Sequence, residues 1–276
     1  MDIVLRILFF LLIGGAAGAL LTFAGKLFFV KTDETVEKIT EALPGANCGG
    51  CGFAGCADYA EAIASGKAKP NLCSPGGLEV NRKVSGIMGV KVEETDPVVA
   101  YVHCNGCNGA VKDKFVYGGT ASCIAAEKFY NGKSECSYGC LGFGDCINAC
   151  DSGAIEIRDG VAVINPSKCI ACGKCVKACP NHLISMKKKS ALMAVRCSSG
   201  DIGKITRAVC KNGCIACGLC VKKCPEGAMS LNNNHAEIDY NKCKSCGICA
   251  DACPVKCIEI LNLCGENDNE KNNKEK

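Results

Sequence analysis

Three times in the second half of the chain the sequence reads C-x2-C-x2-C-x3-C-P: at Cys169, Cys172, Cys175 and Cys179-Pro180; at Cys214, Cys217, Cys220 and Cys224-Pro225; and at Cys243, Cys246, Cys249 and Cys253-Pro254. No hydrophobic pattern constrains a fold as tightly. Each run offers three thiols from one short loop, and the spacing predicts the fourth at the start of a following helix, where Pro fits the first turn. Four thiolates at tetrahedral corners are what an iron–sulfur cubane needs, and in two-cluster runs of this kind the fourth Cys serves the other cluster of the pair.

Composition points the same way. The 276 residues include 27 Cys and no Trp, and five of the 15 Phe and Tyr residues stand before residue 30. Every Cys lies between Cys48 and Cys264, so that stretch has little apolar bulk for a large core and needs another ordering agent: disulfides, zinc or iron–sulfur clusters. The formal charge of +4 and pI near 8.1 are too mild for nucleic-acid binding, and no aromatic-interleaved basic surface is present.

A fourth, altered run occupies Cys136, Cys140, Cys146 and Cys150, with Phe143 where a Cys is expected and Asp151 in place of Pro. An offset of 74 residues carries Cys123, Cys136, Cys140, Cys146, Cys150, Cys169, Cys172, Cys175 and Cys179 onto Cys197, Cys210, Cys214, Cys220, Cys224, Cys243, Cys246, Cys249 and Cys253. The chain therefore holds tandem modules at 135–190 and 209–264, joined by Cys-containing connectors at 91–134 and 191–208. Apolar segments at 154–157 and 228–231, and those opening AVINPSKC and AEIDYNKC, read as short strands, so each module is expected to be α+β. The crossover rule groups Cys169, Cys172 and Cys175 with Cys150, and Cys140 and Cys146 with Cys179 and, as substitute for Phe143, Cys136. In the second module it groups Cys214, Cys217 and Cys220 with Cys253, and Cys243, Cys246 and Cys249 with Cys224.

The N-terminal part reads differently. From Ile7 to Gly25 runs an uncharged stretch of 19 residues, close to the ~20 a bilayer span requires and longer than the ~7 to 15 of a signal-peptide core. It predicts a transmembrane anchor over 1–30, followed by a charged, helix-patterned linker over 31–45. Lys26, Lys31 and Lys38 outnumber Arg6, which places the body on the cytoplasmic side of a single-pass plasma (inner) membrane protein, where thiolates stay reduced. A small helical domain at 46–90 carries Cys48, Cys51, Cys56 and Cys73 as C-x2-C-x4-C-x16-C, with a helix expected from Cys56 to Ser65. A structural zinc is the alternative there, but paired C-x2-C knuckles are missing.

Anchor, LPGANCGGCGFAGC…CSPGG, HCNG, CSYGCLGFGDC and tandem ferredoxin-type runs, in that order, resemble the B subunit of the Rnf complex, in its long form with two ferredoxin modules. The resemblance covers residues 1 to about 264 and leaves a polar tail, 265–276, with the composition of a disordered end. It implies a subunit of a membrane ferredoxin:NAD oxidoreductase that moves Na+ or H+, with soluble reduced ferredoxin as electron donor and other membrane subunits as partners. The chain itself shows no phosphate loop, Ser/His/Asp set or flavin fingerprint, so hydride chemistry belongs elsewhere in such a complex.

Twenty Cys fill five [4Fe-4S] clusters, and Cys104, Cys107, Cys123, Cys197, Cys210, Cys257 and Cys264 remain as candidates for a sixth. Two groupings suggest themselves: Cys104, Cys107 and Cys123 with Cys136, or Cys197 and Cys210 with Cys257 and Cys264. His103, His182 and His235 share no spacing and read as loop or surface residues; Lys187 to Lys189 reads as a solvated run or a docking patch for an acidic ferredoxin. Competing readings are a ferredoxin-like subunit of a hydrogenase or heterodisulfide-reductase-type complex, and a structural or regulatory iron–sulfur protein. A row of paired clusters favours electron transfer over the last.

Overall fold

The computed structural model describes residues 2–27, 33–91, 96–129 and 131–261. Cys264 and the polar tail lie outside the described residues. Helix α1 (Asp2–Leu27) carries the uncharged run, and large apolar side chains from Ile7 to Phe23 are exposed, Leu11 at 68% and Leu20 at 72%. Among the described residues no helix is long and apolar enough to cross a membrane.

The segment expected as a linker folds as α2 (Glu34–Ala42), capped by the Asp33 carboxylate accepting from Thr35 N–H. Its apolar positions fall on one face, so Ile39 and Leu43 are buried against α3 (Cys56–Ala64) and α4 (Gly77–Ile87). Tyr59 and Ile63 of α3 and Val84 of α4 complete this small core, into which Cys73 is packed. The helix at Cys56 is as expected; the linker reading is corrected, because α2 is part of the domain.

The connector at 91–134 contributes β1 (Val98–Val102) and α5 (Cys123–Glu127). The first module then runs α6 (Asp145–Asn148), β2 (Ile155–Arg158), β3 (Val161–Ile164), α7 (Lys174–Ala178) and β4 (Ile184–Lys188). The second connector supplies β5 (Met193–Val195) and α8 (Gly203–Val209), and the second module repeats the order as α9 (Leu219–Lys223), β6 (Met229–Asn232), β7 (His235–Ile238), α10 (Ile248–Asp251) and β8 (Ile258–Ile260). β2–β3 and β6–β7 are antiparallel hairpins whose turns, Asp159-Gly160 and Asn233-Asn234, have both central residues at positive φ, the geometry that matches strand twist.

The connectors are structural. β1 pairs antiparallel with β4, Val102 opposite Ile184, and β5 pairs with β8, Val195 opposite Ile258. Each connector strand ends two residues before a thiol, Cys104 after β1 and Cys197 after β5. The fold thus makes Cys104 the counterpart of Cys197, whereas the 74-residue offset had matched Cys197 to Cys123.

Candidate functional site

Four short loops carry the central thiols of the two modules, and they share one backbone shape. Ala171, Ala216 and Ser245, each just before the middle Cys of an intact run, lie at φ +58°, +53° and +56°, and Gly142 in the altered run lies at +75°. Gly173, Gly218, Gly247 and Gly144 then take φ between +72° and +85° and start α7, α9, α10 and α6. The altered run is therefore the same loop with Phe143 in the place of a thiol. The fourth Cys of each intact run follows the short helix instead of opening one: Cys179 and Cys224 are the C-caps of α7 and α9. That corrects the expected placement.

The thiols surround cavities. One of about 300 Å3 is lined by Cys150, Cys169, Cys172 and Cys175, one of about 290 Å3 by Cys214, Cys217, Cys220 and Cys253, and one of about 310 Å3 by Cys224, Cys243, Cys246 and Cys249. These are the crossed groupings expected from the runs. Cys257, buried at Cys253 with sulfurs 3.6 Å apart, lines the second of these and not a site with Cys197 and Cys210.

The first module departs from expectation. Its remaining cavity, about 400 Å3, is lined by Cys140, Cys146, Cys179 and Cys123, and Cys136 is not on its wall. Asp145 causes this: its Oδ2 accepts from Ser122 Oγ (2.9 Å) and from Ile124 N–H (3.0 Å), tying the start of α5 to the start of α6. Cys123, the first residue of α5, is thereby held beside Cys146. Phe143 turns to Tyr117, ring centroids 5.2 Å apart, and packs with Cys123, Ala126 and Leu141.

Cys136 joins the fifth cavity, about 440 Å3, between the modules, whose walls carry Cys104, Cys136, Cys140, Cys197 and Cys210; Cys140 also lines the cavity of Cys123, Cys146 and Cys179. Each half contributes the Cys after its connector strand and the Cys four residues before its triad. Cys140 N–H donates to Cys104 Sγ at 3.4 Å, and Cys214 N–H does the same for Cys197. Cys107 stands to the side, accepting from Asn212 Nδ2 at 3.6 Å. Neither grouping foreseen for the spare thiols is the one the fold assembles.

In the N-terminal domain Asn47 organises the loop, its Oδ1 accepting from Cys56 N–H at 2.8 Å. Tyr59 ties α3 to the Cys73 segment by donating to the Lys69 carbonyl (2.7 Å) and accepting from Leu72 N–H (2.9 Å). Burial pushes the Cys73 thiol up, and Cys56, Cys51 and Cys48 around it push the same way.

These sites fit cubanes on their own chemistry. Backbone N–H groups four residues on donate to the sulfurs of Cys150, Cys179 and Cys224 at 3.3–3.4 Å, the pattern of a sulfur carrying negative charge. Yet burial pushes Cys104 and Cys146 up to about 12 and Cys175, Cys197 and Cys220 to about 11, so alone they would be neutral thiols. Iron held by these thiols would supply the missing positive charge and favour the thiolate form. Among the described residues no three His, Cys, Asp or Glu are gathered for a single metal ion.

The other candidates resolve simply. His103 is a satisfied structural residue, its Nδ1 3.1 Å from the Val195 carbonyl and Nε2 2.6 Å from Ser185 Oγ. Lys187 is buried, so it belongs neither to a solvated run nor to a docking patch; Lys188 is exposed.

Comparison with known proteins gives matches along the chain. A family described as "Putative Fe-S cluster" matches residues 43–75, "4Fe-4S binding domain" residues 162–185, and "4Fe-4S dicluster domain" residues 213–260. The chain is 41% identical to the B subunit of the ion-translocating oxidoreductase complex of Methanosarcina acetivorans, over 83% of this chain and 88% of that one. It is 41% identical to the B subunit of the Na+-translocating ferredoxin:NAD+ oxidoreductase complex of Acetobacterium woodii (80% and 67%). It is 40% identical to the proton-translocating counterpart of Clostridium ljungdahlii (83% and 81%).

Proposed function

Because the chain belongs to the family of B subunits of the ion-translocating oxidoreductase complexes, we propose that it is the membrane-anchored component that takes electrons from reduced soluble ferredoxin and hands them to partner subunits reducing NAD. It is an iron–sulfur electron-transfer protein and part of an oxidoreductase. A bound cubane supplies one-electron redox chemistry at a potential set by burial and by hydrogen bonds to its sulfurs.

The chain's part is to hold six such centres. Five are the sets named above: Cys123/Cys140/Cys146/Cys179, Cys150/Cys169/Cys172/Cys175, Cys214/Cys217/Cys220/Cys253, Cys224/Cys243/Cys246/Cys249 and Cys48/Cys51/Cys56/Cys73. The sixth is Cys104/Cys136/Cys197/Cys210, which lies between the modules and joins them. The observation that carries this reading for five of the six is that thiols from different segments meet around each cavity, as in the fifth, built equally from both halves; the N-terminal set is supported by the iron–sulfur family match over residues 43–75.

The anchor is the run from Ile7 to Gly25, supported by its helical backbone within α1 and its exposed apolar side chains. The excess of Lys after it supports a cytoplasmic body. The N-terminal domain, next in the chain, sits between membrane partners and the ferredoxin modules. Replacing Cys56 with Ala tests the relay: the modules should keep their iron while NAD reduction by the assembled complex is lost. Survival of that activity would refute the placement.

A further inference from the structure

Lys187 is 5% exposed and lies at the joint between the two ferredoxin modules. It sits on β4 opposite Val99 of β1, and its Nζ donates to the carbonyl of Met193, the first residue of β5, at 2.7 Å. Two rings enclose the ammonium: Tyr101 at 5.3 Å and Tyr240 at 4.9 Å from centroid to Nζ. Among the described residues Lys187 forms no salt bridge. The carboxylate that acts on it, Glu259, is engaged by Arg196 at 3.0 Å.

A buried ammonium without a paired carboxylate is costly, and chains keep one where its charge has a use. Burial lowers the Lys187 ammonium to about 8, and Glu259 pulls the other way. Tyr240 is three residues from Cys243, and Met193, whose carbonyl accepts from the Lys187 ammonium, lines the cavity with Cys224, Cys243, Cys246 and Cys249. Under the 74-residue offset Tyr240 corresponds to Pro166, so the matching centre of the first module lacks this ring.

We propose that Lys187 is a positioning residue for charge: it raises the midpoint potential of the centre held by Cys224, Cys243, Cys246 and Cys249, and so makes that centre a preferred resting place for an electron crossing between modules. The proposal rests on the reading that those four thiols hold a cubane. The reduced centre carries one more negative charge than the oxidised one, and a fixed positive charge in a low-dielectric joint favours the reduced form.

The test is an EPR-monitored redox titration of the full chain, loaded anaerobically, with iron measured in every sample. Lys187→Gln keeps a donor for the Met193 carbonyl but removes the charge; one midpoint should move to lower potential while the others hold and iron content stays the same. Lys187→Arg keeps the charge and should return that midpoint towards the native value. Unchanged midpoints in fully loaded Lys187→Gln, or an equal shift in Lys187→Arg, would overturn the proposal. So would loss of iron from both Lys187→Gln and Lys187→Met, which would make the residue structural. The underlying assignment is checked separately: if Cys246→Ala loses no iron, the centre itself is wrongly placed.

Discussion

Gly50 lies directly against Cys172: a methyl group placed on Gly50 would sit 3.4 Å from the Cys172 carbonyl oxygen and 3.5 Å from Cys48 Sγ. One thiol loop of the N-terminal domain thus touches a thiol loop of the first ferredoxin module. Lys174, one helix position from that loop, is paired with Asp151 alongside.

The contact has room for one carbon and no more. Gly50→Ala should be nearly silent, whereas Gly50→Val should wedge the loops apart at a cost of about 1–3 kcal/mol. NAD reduction by the assembled complex should fall for the Val variant alone, with iron content unchanged in both. Equal activity of the two variants would show that electrons do not cross here.

Cys123 and Cys136 should separate cleanly. Cys123→Ala should remove about four Fe from the first module, because each cubane carries that number. Its EPR signal of coupled cluster pairs should change in the first module only. If Cys123→Ala keeps full iron, Phe143 has been compensated by some other residue.

Cys257 should tune and not ligate. Its thiol is buried beside Cys253, and hydrogen bonding to Cys214 and Cys253 pushes it far up while lowering both of theirs. Cys257→Ala should therefore retain full iron and lower one midpoint by roughly 60 mV or less, the equivalent of about 1.4 kcal/mol for one electron. A loss of iron would make Cys257 a ligand.

His103 gives the joint a pH dependence. Burial lowers its pKa below the ordinary 6.5, with Lys187 and Arg196 adding to the effect. A base depressed on folding binds more protons unfolded, so its contribution is intact above about pH 6.5 and is lost as pH falls below it. The midpoint of thermal unfolding should drop between pH 7.5 and pH 5.5, and His103→Gln should flatten that slope. An identical slope would exclude His103 as its source.

Much of this architecture was readable from cysteine spacing, because a thiol loop is local: four of the thiol groupings and the hairpins follow from single runs and their offset. What escaped was set by contacts between distant segments. Cys123 reaches its cavity through Asp145, and the available signal was Ser122 as a helix cap ahead of Cys123. The 74-residue offset misled at Cys197, since strand pairing of β1 and β5 matches it to Cys104. Lys187 looked solvated beside Lys188 and Lys189, yet it lies on the face of β4 opposite Ile184 and Met186, and Met193, Tyr101 and Tyr240 from other segments cover it there.

Iron and acid-labile sulfide per chain in anaerobically loaded protein, native and Cys210→Ser, test the cluster between the modules most directly. Six cubanes require about 24 Fe in the native chain, and removing a ligand from the inter-module cavity should leave about 20. About 20 Fe in both would contradict a cluster between the modules.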